Sequence, residues 1–325
     1  MEPLITILLT TYNRAHLIGE TLDSIIAQTY TNWECIIVDD NSIDNTEVYL
    51  REYYLSKDAR FSYYKKDLVK YKKGLGGSRN QSLDIAKERK AEYIHFFDDD
   101  DLMHSEKLKL QLSPFLDDDK ISFTTCEYKH LNKTDDNLSI LKTTQLPLET
   151  NNVVFDFVTM NNNIHLNSCG PLWKANFWKT QRFNEDLKIA EEYVAYCELF
   201  INNRNIVYRG IPYVLFFYRK HMESNTAFRY ESYQVLESKR LSDELVFNSL
   251  VKKHKMTYPF LAYYTRKYVV VSFDHYWYKK INDFIHKEKF KGKLRLRFII
   301  FTYMIMRRFF LKLTSIKTSK NEYSV

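Results

Sequence analysis

Three short apolar runs each stop in a polar cluster, with amphipathic stretches between them, and this alternation constrains the fold more than any other feature. Leu4–Thr10 runs into Thr11, Tyr12, Asn13 and Arg14. Glu34–Val38 runs into Asp39, Asp40, Asn41 and Ser42, and Tyr93–Phe97 into Asp98, Asp99, Asp100 and Asp101. Apolar, β-branched runs of this length are buried strands. Between them, Leu17, Leu22, Ile25 and Ile26 keep helical spacing to about Gln28, and Asn45–Leu55 reads as a second helix. Arg60–Lys65 reads as a strand, and Gly74-Leu75-Gly76-Gly77 opens a helix through Ala86. Strands alternating with helices imply βαβ crossovers and a parallel sheet. Ligands of such sheets sit beyond the carboxyl ends of the strands. All three polar clusters fall at those ends, so separate segments converge on one crevice.

The second half is less regular. Short strands are expected near Ile121–Tyr128 and Ile206–Tyr208, with a helix near Ile189–Asn202. From Glu231 the pattern turns helical, over Glu231–His254 and Pro259–Ile285. At 325 residues the chain fits one large α/β unit with an appendage. Seven glycines and six prolines exclude collagen-like and linker-rich architectures. Aromatic content of 16% suits either a deep core or sugar-stacking surfaces. Cys35, Cys126, Cys169 and Cys197 form no C-x-x-C pair, against a disulfide framework or structural zinc and in favour of a reducing compartment. The opening MEPLITILLTTYNR lacks the basic start and long apolar stretch of a signal peptide, so a cytoplasmic location is the expectation.

Four successive aspartates repel one another unless a cation is present, and hard oxygen ligands suit Mg²⁺ or Mn²⁺. The other reading is a solvated acidic turn capping a helix from Ser105. Asp39 and Asp40 either end a strand or hydrogen-bond a ribose or base edge. Gly74–Asn80 sets glycines before a helix, where backbone approaches a phosphate closely. It is not G-x-G-x-x-G, and no Walker lysine pattern occurs. Arg79, one turn into that helix, either reaches a phosphate or lies on the surface.

The segments Ile5–Arg14, Thr21–Tyr30 and Trp33–Ser42 resemble the start of family 2 glycosyltransferases, nucleotide-sugar enzymes of the GT-A fold. Gly74–Asn80 resembles that family's glycine-to-Arg-Asn segment, and Tyr93–Leu102 its DxD-type strand end. Order and spacing agree over roughly residues 4–115. The resemblance implies an α/β GT-A domain over 1–225, with a Rossmann-like nucleotide-sugar half at 1–115 and a mixed-sheet acceptor half at 116–225. A helical region at 226–325 follows. It also implies that Thr10, Tyr12 and Asp39 hold the nucleoside, with Tyr12 stacked on the base, Thr11, Asn13, Arg14 and Asp40 beside them, and Arg79 near the base or phosphates. Asp98 and Asp99 would face ribose and sugar, and Asp100 would ligate a divalent Mn or Mg ion. The register is open by one residue, so Asp101 stays a candidate. An inverting transfer needs a general base, and Phe183–Glu192 has the shape of the family's base segment. Glu192 stands where an aspartate is commoner, which leaves the base between Glu191 and Glu192. Tyr218–Asn225 resembles a later segment in which His221 approaches the metal or diphosphate. Asn167–Pro171 precedes an aromatic stretch, Trp173, Phe177 and Trp178; the resemblance implies that this loop lines the acceptor pocket, and the tryptophans read equally as plain core.

Between Lys287 and Lys320 lie eleven Lys and Arg against one acid, Glu288. That net of +10, within a total of +7, leaves the body at −3. The uninterrupted apolar run Phe298–Met306 is nine residues, far short of the roughly 20 that span a bilayer. On a helix, Lys293, Arg297, Arg307, Arg308 and Lys312 share about 140° of arc, interrupted by Phe301 and Met304. Basic and aromatic residues together read as peripheral contact with anionic lipid on the inner face of the cytoplasmic membrane. A docked terminal helix is the other reading. Nucleic-acid binding is not expected, because the acidic body carries no second basic patch. The expected function is metal-dependent, inverting transfer from a nucleotide sugar, UDP-linked, to a saccharide or lipid-linked saccharide acceptor of a capsule, O-antigen or lipooligosaccharide precursor. The rivals are a nucleotidyltransferase and an inactive sugar- or nucleotide-binding protein on the same fold.

Overall fold

The computed structural model describes residues 2–131, 141–143, 152–159, 166–203, 205–219, 233–272, 274–287, 297–298 and 300–301. Strand and helix alternate as the periodicity predicts: β1 (Ile5–Thr11), α1 (Ile18–Ile26), β2 (Trp33–Asp39), α2 (Thr46–Leu50), β3 (Phe61–Lys65), α3 (Leu75–Glu88) and β4 (Tyr93–Asp98). A π-helical turn, Arg51–Leu55, continues α2. β1 lies between β2 and β4, and β3 flanks β2, all parallel. The register aligns Thr10 with both Val38 and Asp98, and Thr11 with Asp39. The three polar clusters therefore end level, side by side. α1 buries Ile18, Leu22 and Ile25 in the same core as Ile5, Ile7 and Leu9 of β1.

Beyond β4 the sheet changes direction. β8 (Leu172–Lys174) pairs antiparallel with β4 and with β6 (Phe123–Leu131). β6 runs parallel to β9 (Tyr208–Arg219), which pairs antiparallel with β5 (Leu102–Met103) and with β7 (Leu141–Lys142). The strand expected at 206–208 thus extends to Arg219. β9 is paired on both sides, and its Pro212 is accommodated where the register with β6 slips between Cys126 and Tyr128. α4 (Lys107–Asp117), α5 (Val153–Thr159), α6 (Glu191–Asn202) and α7 (Tyr233–Lys252) complete a compact unit that runs to Lys253. α7 packs on α6, so this part of the helical stretch after 226 belongs to the first unit.

The tryptophans resolve to core. Trp173 and Trp178 are buried and pack edge-on to each other at 5.6 Å. Rings of Phe96, Phe123, Phe183, Tyr196 and Phe200 surround them. Much of the aromatic excess fills this interior.

The second unit, 254–325, contains α8 (Tyr258–Tyr264), a π-helical turn at Thr265–Val271 and α9 (His275–Lys287). The single helix expected over Pro259–Ile285 is thus broken. Asp274 breaks it: its carboxylate accepts the Trp277 N–H at 3.1 Å, starting α9, and its own N–H turns back to the Tyr268 carbonyl at 2.8 Å. Most of the basic segment Lys287–Lys320 lies outside the described residues. Among those described, no helix is long and apolar enough to cross a membrane.

Candidate active site

The crevice floor consists of the ends of β1, β2 and β4. Thr10 and Thr11 are buried, whereas Tyr12 is 37% exposed with the Lys73 ammonium 5.1 Å from its ring centroid. Asn13 adopts φ 53°, a left-handed conformation asparagine tolerates. This lets its side-chain oxygen accept the Ile43 N–H at 2.8 Å while its own N–H donates to the Ser42 hydroxyl at 2.9 Å. The Arg14 N–H caps onto the Thr46 hydroxyl at 2.9 Å, and its guanidinium lies 3.7 Å from Asp99. Asp39 is fully buried. One oxygen accepts the Ser42 N–H at 2.8 Å and hydroxyl at 2.7 Å, and the other accepts the Tyr63 hydroxyl at 2.7 Å. Burial, and then that carboxylate, push the Tyr63 hydroxyl's pKa up. Asp40 accepts the Gly74 N–H at 2.7 Å and pairs with the buried Lys66 ammonium, which also donates to the Gly74 carbonyl at 3.1 Å. Burial pulls the Lys66 pKa down against the hold of Asp40.

The four aspartates have four different environments. Asp98 is partly exposed. Its oxygens accept the Arg79 guanidinium and the Ser168 hydroxyl, each at 2.9 Å, and its N–H points to the Cys169 sulfur at 3.3 Å. Asp99 is buried, and burial plus neighbouring Asp100 push its pKa up to about 8, against the pull of Arg14. Asp100 is partly exposed at the crevice. Asp101 is 1% exposed and accepts the Arg219 N–H at 3.0 Å; burial, then Asp100 and Asp98, raise its pKa well above the usual range. Asp98, Asp101 and Cys169 bring ligand atoms within 4.8 Å of one another. Cys169 is as buried as Asp101, and burial holds it as a thiol, a donor poorly suited to Mg²⁺ or Mn²⁺. A hard divalent ion fits the partly exposed carboxylates of Asp98 and Asp100 better.

The far wall is the start of α6. Ala190, in a left-handed conformation at φ 63°, turns the chain so that Glu191 and Glu192 open the helix. One Arg79 nitrogen donates to Glu191 at 2.9 Å and to Glu192 at 3.2 Å; the other holds Asp98. Arg79 was expected near the base or phosphates, but its side chain is only 2% exposed, among these three carboxylates. Burial alone would lower its pKa; Asp98, Glu191 and Glu192 outweigh that and raise it.

The sequence-derived residues of β1, β2 and β4 thus share one edge, and Arg79 joins that edge to both base candidates. His221 lies outside the described residues. Sequence reasoning singled out the loop of Ser168 and Cys169 for the acceptor pocket, not as the support of Asp98, and it missed Tyr63 and Lys66, which hold Asp39 and Asp40. It also missed Asn80, whose side chain bonds Phe183 and Glu185. Its one signal was an Arg-Asn pair, both residues polar and adjacent, in a helix start that buries both.

Comparison with known proteins bears on the fold and the family. The UDP-Glc:alpha-D-GlcNAc-diphosphoundecaprenol beta-1,3-glucosyltransferase WfgD of Escherichia coli is 36% identical over 129 residues, 40% of this chain and 47% of that protein. WfaP of the same organism, described by the same activity, is 37% identical over 125 residues, 38% of this chain and 46% of that one. The chain spans about half the length of these relatives. Among solved structures, S. aureus TarS with UDP-GlcNAc superposes with a TM-score of 0.61 at 20% identity, over 87% of this chain and 81% of that one. The Pyrobaculum calidifontis mannosyltransferase PcManGT with GDP-Man and Mn²⁺ gives 0.51 at 15%, over 87% and 84%. These likenesses bear out the α/β GT-A fold. The sequence profile of Glycosyl transferase family 2 matches residues 6–171, just over half of the chain, and the chain belongs to that family.

Proposed function

We propose that the chain transfers a sugar, with inversion, from a UDP-sugar to a saccharide acceptor carried on a lipid diphosphate in the assembly of a bacterial surface polysaccharide. One observation carries this reading. The level ends of β1, β2 and β4 and the start of α6 bring an exposed tyrosine ring, a row of carboxylates and a partly exposed glutamate to one edge of the sheet. Tyr12 offers its ring to the base, and the buried Asp39 and Asp40 brace the strand end and the Gly74 loop beside it. Asp98 and Asp99 face the ribose and sugar. Asp100 would hold a divalent ion, which when bound offsets charge growing on the leaving diphosphate. The acceptor hydroxyl forms its bond to the anomeric carbon opposite the diphosphate as the carbon–phosphate-oxygen bond breaks, and a glutamate takes the hydroxyl proton. That base is Glu192: Glu191 is 5% exposed in its pair with Arg79, whereas Glu192 is 30% exposed. The lipid-linked acceptor rests on WfgD and WfaP, whose names specify a diphosphoundecaprenol substrate. The basic segment 287–320 would hold the enzyme peripherally on the inner face of the cytoplasmic membrane.

The test is nucleotide release from UDP-, GDP-, CMP- and dTDP-sugars with Mn²⁺, Mg²⁺ or EDTA. UDP release from one donor, abolished by EDTA and by Asp100→Ala, is the expected result. No binding of any nucleotide with metal present would refute the transfer reading.

A further inference from the structure

We infer that Arg79 is a positioning residue: it mounts the base of the acceptor half on the donor half and does not contact the nucleotide. This rests on the transfer reading above, and it concerns how the donor side and the base are held in register.

The base segment is braced by the donor half. It reaches α6 through Ala190, a non-glycine residue in a left-handed conformation that its surroundings must impose. The chain leading to it, at Arg182–Glu185, packs on α3 and on the loop before α3. Gly76 packs so close that a Cβ there would lie 3.0 Å from the Asn184 carbonyl oxygen. Asn80 accepts the Phe183 N–H at 2.9 Å, donates to the Phe183 carbonyl at 3.0 Å and donates to Glu185 at 2.7 Å. The Lys72 N–H donates to Glu185 at 2.7 Å, and Arg182 reaches back to Asp84 of α3 at 2.6 Å. Arg79 adds a contact further along, at Glu191 and Glu192.

A phosphate ligand would present N–H groups to the crevice, but here both terminal nitrogens donate to carboxylates and the side chain is only 2% exposed. The exposures run in a gradient: 2% for Arg79 and 5% for Glu191, against 31% for Asp98 and 30% for Glu192. The cation is therefore interior, with Glu191 as its buried counter-ion, and it touches the inner oxygens of two carboxylates whose outer parts meet the crevice. A guanidinium is a planar fork of fixed spacing, so it sets the distance between the donor-side carboxylate and the base; an ammonium is a point charge and does not.

The test measures UDP affinity in Mn²⁺ by calorimetry, and kcat for UDP-sugar hydrolysis, in wild type, Arg79→Lys, Arg79→Met, Glu192→Gln and the Arg79→Lys/Glu192→Gln double variant. A base displaced by an ångström costs on the order of 100-fold in kcat, while UDP affinity changes by less than about threefold. Lysine is expected to restore melting temperature relative to methionine but not kcat. The double variant is expected to be no slower than Glu192→Gln, since the arginine acts through that glutamate. Should Arg79→Met not fold, the lysine variant and the double variant decide the matter. A loss of UDP affinity that matches the loss of kcat/KM would overturn the assignment and make Arg79 a nucleotide ligand. Multiplicative losses in the double variant would overturn it too. A wild-type protein that binds no nucleotide removes the transfer reading itself, an outcome visible before any variant is made.

Discussion

Asn80→Ala tests whether α3 holds the base segment. Asn80 is 4% exposed, and its amide is the partner of both the N–H and the carbonyl of Phe183. Truncation leaves both backbone groups without that amide. The segment cannot easily rotate toward water, because the Phe183 ring is pinned between Phe96, 5.2 Å edge-on, and Trp178, 5.2 Å stacked. Glu185 is better off, since it keeps the Lys72 N–H. At ~1–3 kcal/mol for each stranded buried group, less what a trapped water recovers, the cost is ~3 kcal/mol. For a unit of this size that lowers Tm by roughly 6–12 °C. The assay is thermal melting with kcat for UDP-sugar hydrolysis in parallel, and kcat is expected to fall about tenfold with UDP affinity intact. Asn80→Asp sharpens the test. It keeps the acceptor for the Phe183 N–H but turns an oxygen toward the Phe183 carbonyl and the Glu185 carboxylate. Two carboxylates sharing a site hold a proton more tightly folded than unfolded, so this variant should regain stability, relative to Asn80→Ala, as pH falls. A melting temperature within about 2 °C of wild type for Asn80→Ala would refute the reasoning and mean that solvent replaces the amide at no cost.

His95 gives a pH prediction. Burial, then the nearby Lys107, push its pKa well below the ordinary value of 6.5, so the folded state resists the proton that the unfolded state accepts. Its contribution to stability is full above pH 6.5 and declines as pH falls, by about 1.4 kcal/mol per pH unit until the folded group titrates. Urea titrations from pH 7 to 5 should therefore show a shallower decline for His95→Gln than for wild type, and equal slopes would contradict this. Ala190→Gly relieves a left-handed residue at ~1–2 kcal/mol but loses ~0.4–1 kcal/mol of unfolded-state entropy, so a gain of up to ~1.6 kcal/mol is expected. A loss would mean that the Ala190 methyl contributes packing the conformation alone does not reveal. Tyr12→Phe should leave the donor KM unchanged and Tyr12→Ala should raise it about tenfold, if ring stacking holds the base.

The nucleotide half was legible because its information is local. Ile5–Thr11, Trp33–Asp39 and Tyr93–Asp98 are apolar runs ended by polar residues, and a parallel sheet brings such ends level whatever the detail of the turns. The second half was harder to read for equally physical reasons. β9 contains a proline that argues against a paired strand until the slip in its register with β6 is known. The break in the C-terminal helices depends on one aspartate capping a neighbour three residues on, inside a pattern that otherwise reads as continuous. The base candidates were found by their likeness to a known segment, but what holds them was not visible. An arginine followed by an asparagine at the start of a helix reads locally as solvent-facing, and both are buried by partners more than a hundred residues away. A buried cation becomes favourable only when its counter-ions arrive, and these come from β4 and α6 at once. The arginine therefore has no stable place in either half alone. Its burial requires the donor half and the base segment to be assembled together, and the same requirement keeps the base in register with the donor.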